Sequence, residues 1–68
     1  MTLEELLELP PTVNVVTAAR ALGISAHKAY ELIRTGTFPV KVLSLGQTVK
    51  VPTAGLWAAL GVQPSLRE

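Results

Sequence analysis

Cysteine is absent from the 68 residues, and histidine occurs once, at His27. The first absence excludes a disulfide framework and any thiolate metal site, and a lone imidazole cannot build a zinc cluster with the residues near it. No metal or other cofactor is expected, and a stapled, secreted mini-protein is excluded on the same ground. No stretch approaches the roughly 20 consecutive apolar residues that cross a bilayer. Glu4, Glu5 and Glu8 stand where a secretion signal would carry Lys or Arg, so the expectation is a soluble protein of the cytoplasm. A chain this short leaves roughly 40% of its unfolded-state surface in water after folding. That is enough for one domain with a thin core and too little to wall off a deep substrate pocket. No nucleophile, base and orienting partner recur at usable spacing either, and the chain is not expected to be an enzyme.

Charge is also sparse, and its placement says more than its sum of +1. Glu4, Glu5 and Glu8 all precede residue 10, while Arg67 and Glu68 close the chain. Between residues 10 and 66 five cations (Arg20, Lys28, Arg34, Lys41 and Lys50) face one acid, Glu31, which leaves that segment at +4. A basic body behind an acidic leader suits a polyanionic partner.

Pro10 and Pro11 break the chain early, because proline donates no hydrogen bond and pushes its predecessor to extended geometry. Residues 1–11 are therefore a short helix and a Pro-Pro linker. Thr2 and Glu5 have the spacing of a capping box, and Leu3, Leu6 and Leu7 fall on one helical face. A helix of about eight residues is not stable alone, so this stripe must pack on its own domain or on a second copy. In residues 12–61, Asn14 and Thr17 have the spacing of a cap and its partner, and Val15, Ala18, Ala19 and Leu22 follow at helical spacing. Gly23 stops that helix, Ile24 supplies the hydrophobic contact of the cap, and Ser25 caps a second helix. The second helix is predicted from Ala26 to about Arg34, with Ala29, Leu32 and Ile33 inward and His27, Tyr30, Glu31 and Arg34 opposite. From Pro39 the period becomes two: Val40 and Val42 flank Lys41, then Val49 and Val51 flank Lys50, the pattern of a hairpin with Ser44, Leu45, Gly46 and Gln47 between its strands. Pro52 closes the second strand and a last helix follows, with Leu56, Trp57 and Leu60 inward. Gly55 costs that helix roughly 1 kcal/mol relative to alanine, and Gly61 caps it. Residues 62–68 read as a flexible tail.

Helix, tight turn, helix, hairpin and closing helix make a mainly α fold with a β-hairpin wing, a winged helix-turn-helix. Ala18-Ala19-Arg20-Ala21-Leu22-Gly23-Ile24-Ser25, then Tyr30-Glu31-Leu32-Ile33-Arg34-Thr35-Gly36, Phe38-Pro39, and Val51-Pro52 before an Ala-Leu-Trp-rich helix together resemble the small excisionase family, whose winged domain is similar to that of MerR-like regulators. The resemblance covers residues 12–61. It implies double-stranded DNA as partner, cooperative side-by-side binding, and bending that lets an integrase excise a phage or other mobile element. A small transcriptional regulator with the same domain shares the binding device. The chain departs from the family in having Ala26 and Gly46-Gln47-Thr48 where relatives carry arginines.

The candidate contacts follow from major-groove geometry. A groove about 12 Å wide accepts one helix, and the helix after Gly23 is the reader. Ser25 either contacts phosphate or only caps the helix, and the two roles are compatible. His27 and Lys28, in the first turn, reach base edges or phosphates, or else form a solvated pair. Tyr30 places its hydroxyl on a phosphate or simply braces the helix. Arg34 suits a phosphate or a guanine edge, against an ion pair with Glu31. Glu31 itself either accepts from cytosine N4 or orients Arg34 and His27. Lys41, Ser44, Gln47, Thr48 and Lys50 form the second contact zone, on the wing. Leu43 and Leu45 are apolar near the wing tip, where they either pack the strands or touch a protein or the minor groove. If the leucines rather than the cations carry binding, the chain is a protein-interaction adaptor.

Overall fold

The two prolines that interrupt the chain turn their carbonyls into anchors. In the computed structural model, which describes residues 1–62, Thr53 donates its backbone N–H to the Pro11 carbonyl at 2.9 Å and its buried hydroxyl to the Pro10 carbonyl. These bonds set the start of the last helix beside the linker. In chain order the elements are α1 (Leu3–Leu7), β1 (Thr12–Val13), α2 (Val15–Leu22), α3 (Ala26–Arg34), β2 (Leu43–Leu45), β3 (Thr48–Pro52) and α4 (Thr53–Leu60). The described residues thus make four helices and a three-stranded antiparallel sheet of order β1-β3-β2.

Local chemistry accounts for the helix ends. Asn14 Oδ1 accepts from Thr17 N at 2.8 Å, and Ser25 Oγ accepts from Lys28 N at 3.1 Å, each satisfying an amide that the helix leaves free. At the junction of α2 and α3, Gly23 has φ +75°. That left-handed conformation lets Ile24 N reach Ala19 O at 3.0 Å and Gly23 N reach Arg20 O at 3.2 Å, the paired bonds of a Schellman cap. The chain therefore leaves α2 and enters α3 within three residues. Ala18, Ala19 and Ala29 are fully buried where these helices meet, and side chains this small let the backbones come close.

Around that contact lies one core, formed mainly by Val13, Val15, Val40, Val51 and Leu56 with the buried alanines. Gly55 belongs to it by omission. A Cβ built there would stand 2.5 Å from Val40 Cγ1, so α4 gives up helix propensity to let the Val40 side chain against its backbone. No buried side-chain polar atom of the described residues lacks a hydrogen-bond partner.

Several expectations need correction. The hairpin strands are not Val40–Val42 and Val49–Val51 joined by a four-residue link. Val40 is buried in the core outside any strand, and β2 begins at Leu43. Ser44 and Leu45 are strand residues paired with Val49 and Thr48, leaving Gly46-Gln47 as a two-residue turn. Gly46 has φ +66° and Gln47 has a negative φ, the sign pattern of a type II′ turn, whose twist matches that of the strands. The hairpin also has a third neighbour, because β1 pairs with β3 through Thr12 with Pro52 and Val13 with Val51. Leu60, expected inward, is 40% exposed. The leucine stripe of α1 divides: Leu6 is 5% exposed, while Leu3 and Leu7 face solvent. Trp57, half-buried, donates its indole N–H to the Leu6 carbonyl at 3.1 Å, which fastens α1 to α4 of the same chain. The tail expected over 62–68 lies outside the described residues from position 63 onward.

Candidate nucleic-acid interface

The outward stripe of α3 comes directly from its period. His27, Tyr30, Glu31 and Arg34 recur at the i, i+3, i+4 and i+7 positions of one face, and all four are exposed, Tyr30 at 53%. The opposite face holds Ala29 fully buried with Leu32 and Ile33 half-buried. The burial of Ala29 in the shared core thereby decides which side chains point to water. Lys28 is exposed at the first turn, where its amide is the one capped by Ser25. The Ser25 hydroxyl, exposed and serving as acceptor there, keeps its proton free to donate. Arg34 sits in the last turn, so its charge is also favourable to the negative end of the helix dipole.

Two shallow hollows mark this side of the molecule. One, of about 360 Å³, is lined by His27, Tyr30, Glu31, Ile33 and Arg34. The other, of about 190 Å³, is lined by Ile33, Gly36, Phe38, Val40, Lys41 and Val42. Ile33 borders both, so the structure brings Lys41, which is exposed, beside the outward stripe of α3 although seven positions separate it from Arg34.

Ser44, Gln47, Thr48 and Lys50 line neither hollow. They do not form one patch either. Opposed residues of an antiparallel pair share a face, and alternate residues of one strand share it too. The pairs Leu43 with Lys50 and Leu45 with Thr48 place those four side chains on one face. Ser44 pairs with Val49 and lies on the other face, the one that carries Val51 into the core. Gln47 stands in the turn. Lys50 is half-buried and the other three are exposed. The hairpin face with Lys50 is therefore mixed: one cation and one hydroxyl set opposite Leu43 and Leu45, of which Leu45 is 60% exposed.

Sequence reading placed Ile33 among the inward residues and missed its second role as the wall between the hollows. Phe38 and Val42, which share the second hollow with Lys41, were not read as part of a site either. Their hydrophobic character was plain in the sequence, but their neighbours were not. Among the described residues, no group of three or more His or Glu side chains is placed to hold a metal ion, and no helix is long and apolar enough to cross a membrane. Comparison with known proteins brings no match: no protein-family model, no curated protein and no solved structure aligns with the chain.

Proposed function

We propose that the chain is a double-stranded DNA-binding protein of excisionase type, a recombination directionality factor acting in the cytoplasm. In this reading the α2–α3 pair is a helix-turn-helix and β2–β3 is its wing. The observation that carries the reading is the outward stripe of α3. A helix packed into the core it shares with α2 presents Tyr30 and Arg34 to solvent, with Lys28 and Lys41 flanking that surface. A rigid helix edge bearing donors and cations is what a major groove accepts. The mechanism is insertion of α3 into the groove, with Ser25, Lys28 and Lys41 on phosphates and His27, Tyr30 and Arg34 at base edges or flanking phosphates. The hairpin adds contacts through Thr48 and Lys50 from one face and Ser44 and Gln47 from the other face and the turn. Binding of several copies along the duplex bends it, and the bent complex favours excision by an integrase. The reading assigns the chain no catalysis, cofactor or membrane partner. A small transcriptional regulator using the same surface is the nearest alternative, and stimulation of integrase-dependent excision in a reconstituted reaction separates the two.

Salt dependence is the first test. About five phosphate contacts give a slope of log Kobs against log salt near −4 to −5 for duplex DNA. A flat response would overturn the reading. It would favour instead a protein-interaction adaptor, a second reading that the exposed Leu43 and Leu45 support, because an apolar contact barely responds to salt between 50 and 200 mM.

A further inference from the structure

The exposed face of α3 bears a feature that phosphate binding does not use, and its meaning rests on the proposed binding of duplex DNA. The larger hollow combines carbon surface from Tyr30 and Ile33 with the carboxylate of Glu31 and the donors of His27 and Arg34. Phosphate uses only part of this lining: His27 and Arg34 can donate to it, Glu31 repels it, and the carbon surface of Tyr30 and Ile33 offers it no donor. Further cations stand outside the hollow. Lys41 lines the adjoining hollow across Ile33, and Lys28 lies on the other flank of the outward stripe. With phosphates along Lys28 and Lys41 on the two flanks and polar contacts at His27 and Arg34, the carbon surface of Tyr30 and Ile33 is left for an apolar group of a base.

Of the groups that bases expose in the major groove, the C5 methyl of thymine is the apolar one, and it is recognised by apolar side chains. The geometry points to Tyr30 and Ile33 as the receptor for a thymine methyl, which makes them specificity-determining residues beside the polar readers of the same helix. Ile33 packs against the core while it lines both hollows. Its position is thus set by the interior rather than by a free surface rotamer, and the contact is preorganised. Glu31, at the same hollow, adds selection against phosphate and for a base that donates, such as cytosine through N4.

The test uses the full chain and duplexes enriched on it from a pool with a short randomised core. Each thymine of the enriched sequence is then replaced by uracil, which removes the methyl and keeps every hydrogen-bonding group. Binding weakens about fourfold at one position, the worth of burying one methyl group, and Ile33→Ala brings the thymine-to-uracil ratio there close to one. Tyr30→Ala, at a side chain half in water, does the same and serves if Ile33→Ala fails to fold. Enrichment without a preferred base, or uracil tolerated at every position, overturns the inference and leaves duplex binding standing. Failure to enrich any duplex overturns both.

Discussion

Gly55 costs its helix about 1 kcal/mol of propensity relative to alanine, yet alanine has no room there. The added Cβ would meet Val40 Cγ1 at 2.5 Å, and overfilling a packed core typically costs about 1 to 3 kcal/mol. With the regained helix propensity set against that, Gly55→Ala is expected to lower stability by about 0 to 2 kcal/mol in urea denaturation. A gain would mean that Val40 moves aside. Arg34 is the opposite kind of residue, exposed on the α3 stripe and free of any duty in the core. Arg34→Ala is expected to weaken binding to a preferred duplex by about 1 to 3 kcal/mol while the urea midpoint stays put. Unchanged binding would remove Arg34 from the interface. The sequence showed both residues. It placed Arg34 on the outward face because a helical period is local, and it showed Gly55 only as a flaw, because the reason for it is a side chain fifteen positions away.

Among the elements, α1 is the smallest helix and depends most on its cap. Thr2 N donates to Glu5 Oε1 at 2.8 Å, and Glu5 N donates to Thr2 Oγ1 at 3.1 Å. The backbone hydrogen bond from Thr2 holds the Glu5 carboxyl below its ordinary value of 4.5. A carboxyl whose folded value is depressed stabilises the fold above its unfolded value, and that contribution fades as pH falls through the lower folded value. The stability difference between the native chain and Glu5→Ala should then be present at neutral pH and shrink on acidification below 4.5; a difference independent of pH would show that the carboxylate contributes nothing through its charge. The hairpin poses a different question, since Lys50 shares a face with Leu43 and Leu45. Lys50→Ala should weaken all duplex sequences alike and lower the salt slope by about one. Were it to change sequence preference instead, the hairpin would be reading bases. Capping and helical period were legible here from neighbouring residues. The hairpin's register was not, because the alternation of Val with Lys marks strands but not where the ladder ends, and the turn closes to Gly46-Gln47 with Ser44 and Leu45 paired.

At the scale of the whole molecule the described residues span 38 × 23 × 17 Å, thin enough to hold a single core layer. With so little interior, long-range hydrogen bonds matter in holding the first eleven residues to the rest. Thr53 reaches Pro10 across 43 positions and Trp57 reaches Leu6 across 51. Trp57→Phe keeps an aromatic plug and removes the indole donor, at a cost of about 1 kcal/mol. The expected result is faster amide exchange over α1 with α2 and α3 still protected. Loss of protection everywhere would show that the leader and the core unfold as one unit. The joining of leader to α4 also leaves the α3 stripe uncovered, which the proposed groove contact requires.

Composition and spacing were enough to settle the helices, their caps and the outward set on α3, because each of these is decided by residues within a few positions of one another. The two-residue strand β1, the partition of the hairpin side chains between its faces, the neighbourhood of Lys41 and the double role of Ile33 were settled only when the chain closed on itself. Those features depend on which distant surfaces meet. A hydrophobic pattern says that a side chain will be buried, but packing alone decides against what.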